Sequence, residues 1–373
     1  MSSVDVVVPC YKYAHYLETC VASVLSQRGP EIRILIIDDA SPDNTPEVAA
    51  RLCVADPRVN YVRNEQNLGL IGTVNRGILE WAAADYILVI SADDYLLPDA
   101  LARAVWVMDK HRDVDLVFGQ ARVVRDDALP VTTTGGPVPE AQVITGAAYL
   151  KRSCEVGTPA PSPSVLVRTS AQKRLGGYCA NFPHTSDMEL WMRFAANGPI
   201  GVVREAQAGY RWHGGNMTLA YTNRAVSDRR ERIATCEYVY QTHGGANIEG
   251  FAGWIAAMKQ SLGREAIYNA GRAAESGNRD AYDACVAFAL ECDPSLARSL
   301  KMLRLKFRRL VGPAIAKLLR IGVERLRGRA PSPDTWLDHD SELGWWPQPP
   351  ETAPDAAGAN ARPSAGLSQL APL

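Results

Sequence analysis

The chain has 373 residues, 47% hydrophobic and 22% charged, with a net charge of −1. That composition belongs to a protein with a substantial core, and it excludes a whole-chain electrostatic argument for nucleic-acid binding. The eight cysteines are scattered, with no Cys-x-x-Cys pair and no Cys/His cluster at zinc spacing. A disulfide scaffold and a structural zinc site are therefore disfavoured, and a reducing cytoplasm is the expected setting. No basic-then-apolar leader opens the chain, and no apolar run approaches the ~18 residues of a membrane span, so neither is expected.

Taken in order, residues 4–8 read as a strand stopped by Pro9, and residues 14–26 as a helix with Leu17, Val21, Val24 and Leu25 on one face. A second strand, 32–37, ends in Asp38-Asp39, and a helix follows near 45–54. Residues 59–62 form a third strand, Asn67-Leu68-Gly69 a turn and 71–84 a helix. The apolar run 86–90 is a fourth strand, rich in β-branched and aromatic side chains, and it ends in Asp93-Asp94. This alternation predicts a parallel sheet with right-handed crossovers.

Residues 98–111 read as a helix with Pro98 at its start, and 116–118 as a strand. The Pro- and Gly-containing stretch 126–143 reads as a loop, 144–153 as a helix and 162–168 as a strand. A short helix, 169–175, is stopped by Gly176-Gly177. Another opens at Ser186, which stands at capping-box spacing from Glu189 and places Asp187 in the first turn. Tyr210-Arg-Trp-His-Gly-Gly-Asn216 reads as a loop after a short strand.

Residues 224–293 are helical in pattern. From 301 to 329 there are ten Lys or Arg against one acid, Glu324, with Leu303, Phe307, Leu310, Ala314, Leu318 and Ile321 on one face and a break at Gly312-Pro313. Such a stretch fits an anionic membrane surface, a solvated helical pair or a dimer interface. The remainder, 330–373, carries eight prolines and reads as a disordered tail, although Trp336, Trp345 and Trp346 are unusual for a linker.

Two carboxylates side by side at a buried strand end repel each other and are costly to desolvate. In open α/β sheets ligands bind beyond the carboxyl ends of the strands. Asp93 and Asp94 therefore suggest a divalent cation shared with a phosphate group, against the plainer reading of a polar turn before a helix.

Five ordered pieces extend that reading: Val6-Val-Val-Pro-Cys-Tyr11 with Leu25-Ser-Gln27; Ile36-Ile-Asp-Asp-Ala-Ser-Pro-Asp-Asn-Thr45; Asn67-Leu-Gly69 with Asn75-Arg-Gly77; Ser91-Ala-Asp-Asp94; and Ser186-Asp-Met-Glu-Leu-Trp191. With these pieces, residues 3–215 closely resemble the family 2 glycosyltransferases. The resemblance implies an α/β fold of the GT-A type: a Rossmann-like, mostly parallel sheet flanked by helices, here followed by a C-terminal helical region and the tail. It divides the chain into a catalytic domain at 1–223, an acceptor-side helical region at 224–300, basic amphipathic helices at 301–329 and the tail at 330–373.

The resemblance also implies roles. Pro9, Tyr11, Asp38, Asp39, Asn67 and Asp94 would hold the nucleotide sugar, Asp93 and His213 a Mg²⁺ or Mn²⁺, and Asp187 would be the base of an inverting transfer. His184, for its part, is close to Asp187 in sequence, which would put it near the acceptor. Tyr11 can stack on a base, and a carboxylate can accept from a base N–H or a ribose hydroxyl. Asp38 and Asp39 as a turn and helix cap, and His213 as a solvated loop residue, are the structural alternatives.

Two positions depart from the family pattern: Ser91 replaces the first acid of an Asp-x-Asp motif, and Val74 stands where many relatives carry Arg. The implied partners are a nucleotide-diphosphate sugar and a glycan or lipid-linked acceptor, with no nucleic acid. The expected place is the cytoplasm or the cytoplasmic face of a membrane. A catalytically silent sugar-nucleotide or glycan binder on the same fold is the rival reading. Nucleotidyltransferase and dehydrogenase readings are disfavoured, because no glycine-rich loop follows the first strand.

Overall fold

The computed structural model of the protein describes residues 1–125, 136–217, 225–315, 317–318 and 342–347. The elements of its first part are β1 (Ser3–Cys10), α1 (Ala14–Leu25), β2 (Glu31–Asp38), α2 (Thr45–Ala55), β3 (Val59–Arg63), α3 (Gly69–Arg76) and β4 (Tyr86–Val89). Then come β5 (Tyr95–Leu96), α4 (Ala100–Lys110), β6 (Leu116–Arg125), β7 (Ala141–Ile144), α5 (Gly146–Val156), β8 (Leu166–Arg168), α6 (Thr169–Leu175), α7 (Ser186–Asn197) and β9 (Ile200–Trp212). Helices α8 (Ala225–Thr242), α9 (Phe251–Ser276), α10 (Arg279–Cys292) and α11 (Leu300–Val311) follow, and last a short strand, β10 (Glu342–Leu343).

The sheet runs β3-β2-β1-β4-β8-β6-β9-β5, with β10 added to β6 and β7 to β9. Its first four strands are parallel, as the alternation predicts. Their runs are apolar throughout because both faces are covered. In β1, Val6 and Val8 enter one core cluster with α1 and α4, while Val7 enters the other with Ile37, Ile78 and α7. Parallel pairing returns between β6 and β9, while β8, β5, β7 and β10 add shorter antiparallel pairings to the mostly parallel sheet.

Several boundaries differ from expectation for local reasons. The helix after the third strand is α3 followed by a π-helical turn, Gly77–Trp81, and it ends at Ala82, whose N–H bonds the Gly77 carbonyl. Residues 162–164 form a 3₁₀ turn before β8 rather than part of a strand. Strand β6 extends to Arg125, and its register against β9 shifts at Gly119, where a Cβ would lie 2.5 Å from Gln207 Cγ. Tyr210, Arg211 and Trp212 belong to β9, a 13-residue strand, and not to a loop. Residues 141–144, the end of the expected loop and the first residue of the expected helix, form β7; the loop's 126–135 portion lies outside the described residues.

The C-terminal helices are continuous with this core. Met302 and Leu305 of α11, Phe288 of α10 and Ile255 of α9 share one cluster with Trp191 of α7 and Val7 of β1. Part of the expected unstructured tail is also built into the fold. Glu342 and Leu343 pair with Arg122 and Ala121, and Trp345 and Trp346 pack half-buried against the same core. The guanidinium groups of Arg152 and Arg204 lie 5.8 and 5.7 Å from the two indole rings. This accounts for two of the tryptophans that a linker would not need; Trp336 lies outside the described residues. All eight cysteines are free.

Helix α7 owes its position partly to α5. Gly146, the first residue of α5, comes so close to α7 that a Cβ would sit 1.7 Å from the Ala195 carbonyl oxygen. The obstacle is backbone and cannot rotate away. Gly146→Ala is therefore expected to cost ~2 kcal/mol or more, measured as a lowered urea midpoint; an unchanged midpoint would refute this account of the contact.

Candidate active site

Two loops at the carboxyl edge of the parallel strands form one side of the site. Asp38 is fully buried: Oδ1 accepts from the Ser41 N–H at 2.7 Å, and Oδ2 from Tyr61 Oη at 3.0 Å and Arg63 Nη1 at 2.5 Å. Protein groups occupy both oxygens, so Asp38 shapes the loop in this arrangement rather than offering a vacant acceptor. Asp39 differs. Its Oδ1 accepts from Asn64 Nδ2 and the Leu68 N–H, at 2.8 and 2.7 Å, while its Oδ2 accepts no hydrogen bond among the described residues.

Asn67 ties its turn to this loop, donating to the Asp39 carbonyl at 3.2 Å and accepting from the Gly69 N–H. Pro9 is buried within β1, opposite Ile37, whereas Tyr11 is exposed with Lys12 Nζ 5.0 Å from its ring. Lys12 and Ala40 both hold positive φ, 64° and 56°, which costs a non-glycine residue energy. Such strain concentrates where a loop must meet a ligand.

The second side is acidic. After β4 the chain turns, with the Asp94 N–H bonding the Ser91 carbonyl, and leads into β5, which pairs with β9. Asp93 and Asp94 are both buried. Burial and the neighbouring charge of Asp93 push the Asp94 carboxyl well above the usual range, opposed by the Arg211 N–H on its Oδ1 at 2.9 Å. Arg211 Nε also donates to the Asp93 carbonyl at 3.0 Å, and its guanidinium lies over the rings of Tyr16 and Tyr95 at 4.9 and 5.8 Å. This buried arginine compensates the acidic pair.

Arg211 was not among the residues expected in the site, although the signal was present. In a strand, residues 211 and 213 share a face. Taking the segment for a loop concealed that.

His213 follows on that face. Its Nε2 is 3.1 Å from Asp93 Oδ2, while its Nδ1 accepts from the Gly215 N–H at 3.1 Å. That network assigns the proton to Nε2, so His213 donates to Asp93. The ring is stacked on Tyr16 and meets Tyr13 edge-on, and Asn216 accepts from the His213 N–H and donates to the Arg211 carbonyl. His213 is thus a buried, oriented residue and not a solvated one.

A divalent cation fits this corner. Asp93 Oδ1 is buried with no hydrogen-bond partner, a costly state for a carboxylate oxygen unless a cation completes it. Oxygen-rich sites of this kind leave room for phosphate oxygens. Among the described residues no three His, Cys, Asp or Glu side chains converge on one point. Asp93 is the side-chain donor this corner offers, and His213 can join it only by giving up its Nε2 proton.

The two departures are now placed. Ser91 supplies its carbonyl to the Asp94 turn, a bond that needs no charged side chain. Val74 is buried with Val7, Ile37 and Ile78, so that position is part of the apolar core. Neighbouring Asn75 instead brackets Tyr178, exchanging bonds of 2.7 and 2.8 Å with its N–H and carbonyl.

The third side is the start of α7. Thr185, not Ser186, precedes the helix, and Glu189 does not close a capping box. Glu189 pairs instead with Arg193 one turn on, which also donates to the carbonyls of Leu175 and Gly177 at 2.6 and 3.0 Å. Glu231 of α8 supplies the N-terminal bonds, accepting from the N–H groups of His184 and Thr185 at 2.7 and 3.0 Å.

Asp187 does lie in the first turn, as expected. Its Oδ1 accepts from the Met188 N–H at 2.6 Å and its Oδ2 from Ser162 Oγ at 2.8 Å. Burial raises the Asp187 carboxyl above its ordinary value, and the bonds from Ser162 and the backbone pull the other way. Ser162 opens the 3₁₀ turn that packs against β4, β5, β6 and β9. The turn carrying the support of Asp187 therefore touches β5, the strand that follows Asp93 and Asp94. Nothing in the sequence pattern marks Ser162 for this role.

Residues 5–159 match the profile of the family described as Glycosyl transferase family 2. Over that stretch, which is under half of its length, the chain is similar to the family 2 glycosyltransferases. It is 28% identical over 251 residues to EpsE of Bacillus subtilis (strain 168), covering 64% of this chain and 86% of that one. It is 29% identical over 232 residues to the succinoglycan biosynthesis protein ExoA of Rhizobium meliloti (strain 1021), covering 59% and 63%. Among solved structures, the mannosyltransferase PcManGT from Pyrobaculum calidifontis, in complex with GDP-Man and Mn²⁺, aligns with a TM-score of 0.50 at 15% identity, covering 88% of each chain. That likeness supports the GT-A fold.

If Ser162 holds Asp187 toward its carboxylate form, Ser162→Ala removes a bond that favours the ionised state. The Asp187 titration, followed by NMR of carbon-labelled aspartate, is then expected to move to higher pH. A midpoint that stays put or falls would show that the bond has no such effect.

Proposed function

We propose that the protein is an inverting glycosyltransferase that moves a sugar from a nucleotide-diphosphate donor to an acceptor hydroxyl. The observation that carries this reading is the linkage of the buried Asp93–Asp94 corner to Asp187 through β5 and the Ser162 turn. One edge of the fold thus holds groups suited to a diphosphate and a carboxylate suited to an acceptor hydroxyl. The family match supports transferase chemistry, and relatives such as ExoA support assembly of a cell-surface polysaccharide or glycolipid.

The donor's base and ribose lie along the loops after β1 and β2, with Tyr11 stacking on the base and Asp39 Oδ2 accepting from the nucleoside. Asp93 would hold a Mg²⁺ or Mn²⁺, which would supply charge neutralisation for the leaving diphosphate. Asp94 and Arg211 fix the position of Asp93, and His213 orients its carboxylate.

Asp187 takes the proton of the acceptor hydroxyl as that oxygen forms its bond to the anomeric carbon. The bond from that carbon to the phosphate oxygen breaks with its electron pair, and a nucleoside diphosphate leaves. Attack comes from the opposite face, so configuration inverts without a covalent sugar–enzyme intermediate. Because burial raises the Asp187 carboxyl, turnover falls as pH drops through its folded-state value and is fullest above it.

Asp187→Asn is expected to lower turnover by roughly 10²–10⁴-fold with sugar-nucleotide affinity retained. Near wild-type turnover at unchanged affinity would remove Asp187 as the base. Calorimetric titration with UDP, GDP, dTDP and CDP, with and without Mn²⁺, is expected to select one nucleotide and to show tighter binding with metal. Asp93→Asn should abolish that metal enhancement. Binding indifferent to Mn²⁺ in the wild type would overturn the cation's role, and a protein that binds a sugar nucleotide yet never hydrolyses it would favour the silent binder.

A further inference from the structure

Helix α11 presents two different faces. Its inner face is fixed to the core: Met302 and Leu305 are buried, Arg308 Nη1 lies 3.8 Å from Glu275 of α9, and Arg309 Nη1 lies 2.7 Å from Asp283 of α10. Ser299 caps the helix through its side chain, accepting from the Met302 N–H at 3.1 Å. The outer face leaves Leu300, Leu303, Phe307 and Leu310 exposed, at 71%, 64%, 54% and 83%. At about 100° per residue these four fall within an arc of about 80°. Arg304 borders the arc on one side and Lys306 on the other, each about 40° away, and Lys301 lies further round on the Arg304 side; all three are exposed and have no ion pair among the described residues.

Helix α11 contains no acid. Just beyond it, Ile315 and Leu318 are exposed at 51% and 68%, next to exposed Lys317. No helix among the described residues is long and apolar enough to cross a membrane.

A contiguous apolar stripe on a firmly anchored helix needs a cover. We infer that α11 docks the protein on an anionic membrane surface, with the leucines and Phe307 at the boundary between headgroups and acyl chains and Lys301, Arg304 and Lys306 on headgroup phosphates. The charge pattern selects this occupant. A stripe bordered by unpaired cations and no acid complements a surface of fixed negative charge. In a two-fold contact between copies of this chain the same cations would face their own kind, a repulsion that nothing on the helix offsets. The inner face already holds the helix in place, so binding needs no refolding of α11.

The test is sedimentation of the full-length protein with vesicles of phosphatidylglycerol and phosphatidylcholine in equal parts, and with phosphatidylcholine alone. The wild type is expected to pellet with the anionic vesicles, more weakly as salt is raised, and to bind phosphatidylcholine at least about tenfold less. Two triple variants separate the terms: Leu303→Ser with Phe307→Ser and Leu310→Ser, and Lys301→Glu with Arg304→Glu and Lys306→Glu. All six positions are exposed, so the melting temperature should stay near wild type, and each triple should lose about tenfold or more in vesicle binding.

No pelleting of the wild type with anionic vesicles overturns the proposal, as does wild-type binding that both variants retain. If the serine triple instead turns a self-associated protein into a monomer while vesicles never bind, the stripe is a contact between copies and the proposal fails.

Discussion

The site is organised by the cost of placing two adjacent carboxylates out of water. Asp93 and Asp94 end a buried strand, and like charges so placed must be offset by groups arriving from elsewhere in the chain. Arg211 does much of this from β9, through its backbone N–H, its Nε and its guanidinium, and His213 adds a hydrogen bond two residues later on the same face. That need explains why β5, only two residues long, pairs with β9 directly after the acids. It also explains why Tyr13 and Tyr16 of the first loop and helix pack against His213. One oxygen, Asp93 Oδ1, is left uncompensated by the protein, and the proposed chemistry begins there.

The acceptor side is held by a different kind of support. Asp187 depends on a chain of neutral and ionic bonds that crosses several elements: Ser162 from the turn before β8, Glu231 from α8, and the Glu189–Arg193 pair that fixes the carbonyls of Leu175 and Gly177. Asn75, bracketing Tyr178, links this loop back to α3. The helices after β9 therefore contribute to the placement of the candidate base, and their shared core with α7 makes that contribution rigid.

Much of this was legible in the residues. Strand-length apolar runs, stopped by Pro9 in β1 and by paired acids in β2 and β4, marked these strands and the loops beyond them; the ordered motifs contain Asp93 and Asp187, and the resemblance they carry pointed to His213. What escaped was set by partners distant in the chain. Ser186-x-x-Glu189 has the spacing of a capping box, yet Arg193 offers the glutamate a full charge one turn away, and the buried ion pair wins. Asp38, at a strand end, accepts hydrogen bonds from Ser41, Tyr61 and Arg63, partners that its own position does not announce. Arg211 lay hidden in a segment whose strand character comes from pairing with β6 rather than from its own pattern. The basic periodicity near 301–329 announced an amphipathic helix; only the fold shows which apolar residues face the core and which face outward.

Strand β10 has a consequence for the topology of the chain. A ladder of two residues is far too short to hold a free peptide against β6. Here the strand is covalently joined to Leu318, itself part of the described structure, so its docking is an intramolecular ring closure. The entropy lost in closing such a ring grows only with the logarithm of its length, and the tether presents β10 at a high effective concentration. The covalent linkage between Leu318 and Glu342 is therefore what lets so short a ladder pair with β6. Cutting that linkage once would leave the contacts of 342–347 in place but turn their association into a bimolecular event, diluted by the volume of the solution.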